Sequence, residues 1–323
     1  MRHARLNPAS QDTWHHCFNR SAGNRDDRPF DDADKEQFVR ILTRVARLYT
    51  VRIVAYQVMS NHFHLLLQAP ADPPSEEETA RRFAAFHDGR RKLCPGTKAC
   101  RQWQARLRDV SWCMRHIQHL YSAWYNRSRP VRRRGPLWAG RFKNTVLEDG
   151  AALWACWSYI ECNPVRAGLV ADAADYRFCS YGAWMQTGRH PFDTALRDHL
   201  LPALPAPLRT MDPAALRLEL GRRLTADDEE DALQMANGEA KPVDGCGTDD
   251  EPPVPAFSLT VRRRVRHWVD GLVIGSELFV RETMRRCRPE IPADNHRLAR
   301  SLALPNPDVP VICCWRRLRV MAD

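Results

Sequence analysis

The sequence lacks any long apolar run, and its N-terminus lacks the pattern of a secretion signal. The first residues, Met1–Arg5, are basic, and no apolar stretch follows them. A helix that crosses a bilayer needs about 20 consecutive apolar residues, and a signal peptide needs a shorter apolar core. We therefore expect a cytoplasmic protein without a membrane partner.

A regular cysteine pattern is also missing, although the chain has 11 cysteines. The number is odd, and no two cysteines are separated by two residues. This excludes the repeated spacings of small disulfide-bonded domains and of zinc fingers. Most of the cysteines are predicted to be reduced and to pack as small apolar side chains.

Acidic residues are scarce outside a single segment. The net charge is +10, and residues 227–251 contain ten acidic residues and one lysine, which leaves +19 on the remainder. A surface with such an excess of positive charge favours a polyanionic partner, of which nucleic acid is the usual example.

Two histidines separated by one residue form the most informative motif that is present. His62 and His64 lie within Tyr56–Gln68, a stretch of alternating and β-rich residues that predicts either a strand, a turn and a second strand, or one bent strand. Side chains two positions apart on a strand share a face. The two imidazoles could therefore bind one metal ion, and the alternative is an ordinary hydrogen-bonded pair.

A second motif places a tyrosine and an asparagine four positions apart. The apolar run after Gly150 predicts a helix that ends near Pro164. Tyr159 and Asn163 would lie one turn apart on the same helix face. They could present a phenol nucleophile and an amide oxygen together, or they could be a core tyrosine and a helix cap.

Residues 115–143 contain eight Lys or Arg and no Asp or Glu, with aromatic residues interleaved. Arginine neutralises phosphates, and exposed aromatic rings stack on bases. The alternative is a solvated helix face followed by a charged loop. We predict DNA contacts for the cations of this stretch and for one later arginine: Arg115, Arg127, Arg129, Arg132, Arg133, Arg134, Arg141, Lys143 and Arg166.

The periodicity of the whole chain predicts an α+β fold, in which helices pack on an antiparallel sheet, because strands and helices do not alternate strictly. The predicted strands are 13–19, 51–59, 63–68 and 143–147, and the predicted helices are 34–49, 103–126 and 151–163. Residues 69–100 are polar and are predicted to be an insertion with a short helix.

Taken together, the motifs resemble the REP-associated tyrosine transposases, a branch of the HUH single-strand transposases. The resemblance extends from about Trp14 to Trp184 and includes, in order, Trp14–Arg20, Asp31–Asp34, Met59–Leu65, Gly135–Lys143 and Tyr159–Gly168. It implies a ferredoxin-like or RRM-like sheet and a catalytic domain over residues 1–190 that carries the insertion.

The resemblance also implies a site and a chemistry. A divalent ion, Mg²⁺ or Mn²⁺, would be held by His62 and His64 with Asn163 as third ligand. Tyr159 would cleave and rejoin single-stranded hairpin or repeat DNA through a 5′-phosphotyrosine. The protein would then be associated with the nucleoid, as a monomer or a homodimer. Two alternatives stay open: a rolling-circle-type nickase, and a DNA-binding regulator without catalysis.

The rest of the chain gives weaker signals. Residues 191–256 are rich in proline and acidic residues, which predicts a flexible linker. Residues 257–323 are predicted to form a helical appendage, with one helix at 259–269 and another that begins after Ser276 as its N-cap. This pair of helices is either a helix-turn-helix or an accessory packing element.

Overall fold

The computed structural model describes residues 11–24, 27–130, 135–204, 206–222, 224, 268, 271–287, 299–301 and 312–316. Its strands are β1 (Thr13–Arg20), β2 (Arg52–Val58), β3 (His62–Ala69), β4 (Lys143–Leu147), β5 (Gly271–Ser276), β6 (Ala299–Ser301) and β7 (Ile312–Arg316). The main helices are α1 (Asp32–Leu48), α2 (Glu76–Phe86), α3 (Lys98–Leu107), α4 (Val110–Arg127), α5 (Ala151–Glu161), α6 (Asn163–Arg166), α7 (Ser180–Thr187) and α8 (Glu277–Cys287).

Within these residues a sheet of seven strands has the order β2-β3-β1-β4-β5-β7-β6. Neighbouring strands are antiparallel except β4 and β5, which are parallel. The predicted α+β class with a mostly antiparallel sheet is therefore confirmed.

The two faces of the sheet carry different side chains because residues alternate along each strand. On one face, here the α1 face, Phe63 of β3 packs against Phe38 of α1, with ring centroids 4.7 Å apart. On the other face, here the histidine face, His64 packs against Tyr159 of α5. The sheet is thus enclosed by helices on both sides, and α5 covers the side on which the histidines lie.

Helix α1 begins earlier than the predicted residue 34 because of its cap. The Asp31 side chain accepts from the backbone N–H of Asp34, and the Asp34 side chain accepts from the backbone N–H of Asp31. This reciprocal pair satisfies donors that the first turn leaves open. Its apolar residues then recur at helical spacing and are buried against the sheet: Phe38, Ile41, Leu42, Val45 and Leu48.

The single helix predicted at 103–126 is two helices, α3 and α4. The break lies at Asp109, whose side chain caps α4 by accepting from the backbone N–H groups of Ser111 and Trp112. An aspartate is more stable at such a cap than within a helix, because its carboxylate satisfies free N–H groups. The short helix expected in residues 69–100 is α2, which buries Phe83 and Phe86.

Part of the range interpreted as a linker is helical. Helical turns occupy Asp193–Ala195, Leu196–Leu200, Leu201–Ala203, Ala206–Arg209 and residues 213–222. Their leucines are buried in the main core: Leu196, Leu200, Leu201, Leu204, Leu208, Leu216 and Leu220. Pro202 lies at the start of one of these helical turns, where a missing N–H is tolerated. Residues 225–256 lie outside the described residues.

The exclusively helical C-terminal appendage is not confirmed, because β5, β6 and β7 extend the sheet beyond β4. The apolar run Gly271–Ser276 pairs with β4 through Val273 and Ile274. Helix α8 begins after Ser276 as expected, and the Ser276 hydroxyl accepts from the N–H of Phe279. All but Trp268 of the predicted helix at 259–269 lies outside the described residues, so the helix-turn-helix stays a prediction.

In the part of the chain that the structure describes, no helix is both long and apolar enough to cross a bilayer.

Candidate active site

His62 and His64 lie at the start of β3 and project from the histidine face of the sheet. Their ring centroids are 5.2 Å apart and the rings are nearly perpendicular. Alternation along the strand puts both imidazoles on one side, because the intervening Phe63 points to the α1 face. The two rings are therefore close enough to contribute to one site.

Hydrogen bonds at the Nδ1 atoms leave the Nε2 atoms available as ligands. Nδ1 of His62 lies 2.7 Å from the amide oxygen of Asn61, which can only accept, so Nδ1 carries the proton. Nδ1 of His64 lies 2.8 Å from Nε2 of His16, and either ring can donate. When His64 donates, its Nε2 has a free lone pair, as His62 Nε2 does.

His16 of β1 is a third imidazole of the cluster, which was not singled out from the sequence. Its ring stacks on that of His64 with centroids 5.0 Å apart and an interplanar angle of 10°. Phe18, two residues later on the same face, stacks on the other side of His64 at 4.8 Å. The alternation of Trp14, His16 and Phe18 indicates that these three side chains share one face of β1. It does not indicate that His64 lies beside them, because that depends on how the strands pair.

Burial keeps these histidines neutral. It lowers the pKa of His62 to about 4, with a further contribution from Arg28, and it lowers the pKa of His16 to about 3. The pKa of His64 is also well below its usual value, mainly through burial and then through the neighbouring His16 and His62. Neutral imidazole is the form that binds metal ions, so the cluster needs no deprotonation near neutral pH.

Tyr159 lies against this cluster, on helix α5. Its ring centroid is 5.6 Å from that of His64 and 5.9 Å from that of His16, in edge-to-face contacts. Almost every residue of α5 is buried, because this helix is enclosed between the sheet and further helices. The structure therefore brings together the phenol and the imidazoles that the two sequence motifs contain.

Arg166 of α6 contacts the tyrosine from its other side. The guanidinium lies over the Tyr159 ring at 4.2 Å from the centroid and donates to the Tyr159 backbone carbonyl at 2.7 Å. Burial raises the pKa of Tyr159 to about 12, and the charge of Arg166 is the next contribution and lowers it. Arg166 thus opposes the cost of a phenolate in a buried position.

Trp268 covers Tyr159. The two rings stack with centroids 5.2 Å apart and an interplanar angle of 28°, and the edge of the indole contacts His16 at 6.1 Å. Tyr159 is 2% exposed and Trp268 is 1% exposed. No motif in the sequence indicated that a residue more than a hundred positions further along the chain would reach this site.

Asn163 is the first residue of α6 and is half-buried. Within the described residues its side chain makes no hydrogen bond that would connect it to the histidines. The same residues contain no group of three or more His, Cys, Asp or Glu side chains placed to hold a metal ion. Two imidazoles with an amide oxygen remain a chemically suitable set for a cation such as Mn²⁺, which accepts both ligand types.

The predicted DNA-binding residues occupy different parts of the molecule. Lys143 is half-buried and pairs across the sheet with Phe18, so it lies on the histidine face beside the site, as Arg166 does beside Tyr159. Arg115 and Arg141 line a groove on α4 that also contains Trp112, Trp138 and Phe142. Arg129 is paired with Asp34, Arg127 is exposed at the end of α4, and Arg132, Arg133 and Arg134 lie outside the described residues.

Two other tyrosines of the basic stretch are far from the imidazoles because they belong to the α1 face. Tyr121 packs against Phe30 and Phe38, with centroid distances of 5.5 and 5.0 Å. The Tyr125 hydroxyl donates to the backbone carbonyl of Pro29 at 3.0 Å. Both side chains are therefore core residues, which leaves Tyr159 as the phenol next to the histidine cluster.

Comparisons with known proteins give one likeness. No protein-family model matches the chain, and no curated protein matches it. A solved structure described as the REP-associated tyrosine transposase bound to a REP hairpin is similar to 60% of this chain and 90% of its own chain, with a TM-score of 0.39 and 19% sequence identity.

Proposed function

We propose that this chain is a metal-dependent single-stranded DNA transposase or endonuclease that cleaves and rejoins hairpin or repeat DNA through Tyr159. The observation that carries the proposal is the contact of the Tyr159 ring with His64 and His16 on one face of the sheet. These residues come from separate segments of the sequence, and their convergence is what a tyrosine-dependent phosphoryl transfer needs.

In the proposed reaction, Tyr159 is the group that forms the new bond to phosphorus. Its phenolic oxygen attacks phosphorus, the bond from phosphorus to the 3′ oxygen breaks, and the phenolic proton ends on the released 3′-hydroxyl. A 5′-phosphotyrosine remains, and attack by a 3′-hydroxyl reverses the step and rejoins a strand. Because the phenol is a weak acid at neutral pH, a cation close to it lowers the barrier, and Arg166 supplies a permanent one.

His62 and His64 would hold a divalent cation, Mg²⁺ or Mn²⁺, through their Nε2 atoms, and Asn163 is the third ligand that the family resemblance suggests. A bound ion of this kind polarises a phosphate oxygen and stabilises charge that develops on it. Imidazole ligands favour Mn²⁺ over Mg²⁺, which prefers oxygen. Asn61 and His16 hold the two rings in orientation through hydrogen bonds to their Nδ1 atoms.

A ferredoxin-like catalytic domain is part of the proposal. Support comes from the element order β1-α1-β2-β3-α4-β4 and from the spatial strand order β2-β3-β1-β4. Helices α2 and α3 lie between β3 and α4, and α2 falls within the range that the sequence suggests as an insertion. Lys143 and Arg166 would contact the phosphate that reacts, while Arg115 and Arg141 would contact a more distant part of the DNA.

A DNA-binding regulator without catalysis is the second candidate, and the buried position of Tyr159 favours it. With Trp268 stacked on the phenol, a DNA strand reaches Tyr159 only after the indole moves. The two candidates differ in a covalent bond, because only the transposase forms one.

The test is the formation of a covalent adduct. The full chain is incubated with Mn²⁺ and end-labelled single-stranded hairpin oligonucleotides, and adducts are separated on a denaturing gel. We expect an adduct for the wild type and for Tyr121→Phe, and none for Tyr159→Phe. Hairpin binding without any adduct would support the regulator instead, and an adduct that persists in Tyr159→Phe would contradict the assignment of the nucleophile.

A further inference from the structure

Gln57 of β2 has a buried amide with no partner. The residue is 0% exposed, and neither Oε1 nor Nε2 has a hydrogen-bond partner within the described residues. A buried amide without partners is destabilising, and native proteins nearly always satisfy such a group with protein, water or an ion. The amide of Gln57 therefore suggests an additional component at this position.

The sheet register places this amide next to the histidine cluster. Gln57 is paired directly with His64 in the antiparallel β2–β3 ladder, and Phe18 is paired with His64 on its other side. Side chains of paired residues lie on the same face with Cβ atoms about 5 Å apart, and diagonal neighbours are within reach of long side chains. Gln57 is thus a direct neighbour of His64 and a diagonal neighbour of His62, on the face that α5 covers.

Gln57 also interrupts the apolar character of its strand. The residues on either side of it, Tyr56 and Val58, point to the α1 face and are buried. Ala55, which shares its face, is small and apolar. Packing alone would be satisfied by an apolar side chain at position 57, so the retention of an amide indicates a use for its oxygen or nitrogen.

We propose that Gln57 is the third protein ligand of the divalent cation that His62 and His64 hold, through its Oε1 atom; this rests on the proposed function. An amide oxygen is a neutral ligand that Mn²⁺ and Mg²⁺ both accept. The remaining Nε2–H₂ group is then free to donate to an oxygen of the phosphate that reacts.

Asn163 is the competing residue, and its environment differs from that of Gln57. Asn163 is half-buried at the start of a short helix, where water can satisfy its amide. Gln57 has no access to solvent and has no protein partner. A bound ion would therefore offset the free-energy cost of burying the Gln57 amide without a partner. The same contact would stabilise Asn163 less, because its amide can bind water.

The test measures Mn²⁺ binding without DNA. Free Mn²⁺ is followed by electron paramagnetic resonance during titration of the full chain, and thermal unfolding of each metal-free variant is measured in parallel. For Gln57→Met we expect Mn²⁺ affinity to fall by about tenfold or more. We also expect a higher unfolding midpoint without metal, because an apolar side chain of similar volume replaces an unpaired amide.

Three further variants make the result decisive. Gln118→Met is the matched control, because Gln118 on α4 also has a buried side-chain nitrogen without a partner but lies beside Trp138, on the α1 face of the sheet. It should leave Mn²⁺ affinity unchanged. Gln57→Glu keeps an oxygen ligand and should bind Mn²⁺ at least as tightly as the wild type, which a purely structural residue would not produce. His64→Ala should abolish binding.

The outcomes separate this proposal from the proposed function. If His64→Ala loses Mn²⁺ while Gln57→Met retains wild-type affinity, the Gln57 assignment is wrong and the metal-dependent function stands. A loss in Asn163→Ala together with wild-type affinity in Gln57→Met would assign the third ligand to Asn163. If the wild type does not bind Mn²⁺, the metal-dependent function fails, and the ligand role of Gln57 fails with it.

Discussion

Tyr159 illustrates how a single residue combines opposing requirements. Burial raises its pKa to about 12, which makes the phenolate costly, yet burial is also what places the ring against His64 and His16. The guanidinium of Arg166 at 4.2 Å from the ring centroid is the local charge that opposes this cost.

The role of Arg166 can be tested by substitution. We expect Arg166→Met to slow adduct formation at saturating DNA by about tenfold, which corresponds to one pKa unit of lost charge stabilisation. Arg166→Lys keeps the charge and should lose less. Arg141→Met removes an exposed arginine far from Tyr159 and is the control for a general loss of positive charge. An unchanged adduct rate in Arg166→Met would show that the arginine acts only through DNA affinity.

At the level of residues, local spacing together with the family resemblance singled out His62, His64 and Tyr159 as candidates, because an interval of two on a strand and the helix after Gly150 are local patterns. His16, Gln57 and Trp268 could not be found in this way. Their relation to the site depends on which strand lies beside which and on where the chain returns, and neither is encoded in a local pattern. The proposed third ligand, Gln57, can therefore be identified only from the pairing of β2 with β3. Asn163, in contrast, was identified from its helical spacing to Tyr159.

Helix α5 is the element that positions Tyr159, the proposed nucleophile, and the buried carboxyl group of Glu161 near its end fixes the helix. Glu161 accepts from the indole N–H of Trp157 at 3.1 Å, from the backbone N–H of Tyr181 at 3.0 Å and from the hydroxyl of Ser180. These bonds join α5 to the start of α7, which in turn lies beside the edge strand β2. The sequence did not indicate this role for Glu161, because its partners Ser180 and Tyr181 lie on a helix that no local pattern predicted.

At the scale of elements, the segment before β5 also contributes to the site, because its Trp268 covers Tyr159 of α5. We expect Trp268→Ala to expose Tyr159 and to raise the rate of adduct formation. The gain is about tenfold if the covered state is favoured by about 1.4 kcal/mol. The same change should lower stability by about 3 kcal/mol, because a buried indole is removed. The measurement is the adduct rate at saturating hairpin DNA, with denaturant unfolding in parallel.

Trp184 provides a control for the loss of a large ring, because it is buried on α7 against His190 and not against Tyr159. Trp184→Ala should destabilise the protein to a similar degree without a gain in adduct rate. A slower rate in Trp268→Ala would instead mean that the indole supports the tyrosine, and the covering role would then be wrong.

Elements were predicted well where the local pattern was strong, and less well where tertiary contacts decide. Helix α1 and strands β1 to β4 occur within a few residues of their predicted positions. The break between α3 and α4 depends on one aspartate cap, and β5 is a short run that pairs in parallel with a distant strand. A short apolar run is ambiguous between strand and helix without knowledge of its neighbour.

At the scale of the whole molecule, buried ionisable groups make stability depend on pH. Burial lowers the pKa of His15 and of His190 to about 4, and that of His16 to about 3. In the unfolded chain these residues take up protons near pH 6.5, whereas the folded chain resists protonation until pH 4 or below. The free energy of unfolding is therefore expected to fall as the pH falls from about 6.5 towards 4.

Glu161 acts in the opposite direction over an overlapping window. Burial raises its pKa to about 7, although its hydrogen bonds oppose the shift. The folded chain then holds a proton between about pH 4.5 and 7 that the unfolded chain releases, so this group loses stability as the pH rises through that window. Because the histidines whose pKa is lowered outnumber the carboxyl groups whose pKa is raised, which are Glu161, Asp34 and Asp149, we expect net destabilisation by acid, with the maximum of stability near neutral pH.

His190 allows the histidine contribution to be isolated, because it lies outside the histidine cluster. Its Nδ1 accepts from the backbone N–H of Phe192 at 3.1 Å, and its ring packs on Trp184. His190→Asn keeps an acceptor without a titrating group, so the fall in unfolding free energy between pH 6.5 and 4 should shrink by up to about 3 kcal/mol. The measurement is urea unfolding at a series of pH values, with His119→Asn, an exposed position on α4, as the matched control. If both variants show the wild-type dependence, His190 does not contribute to acid sensitivity, and the loss comes from the other buried histidines, such as His15 and His16 on the sheet and His116 on α4.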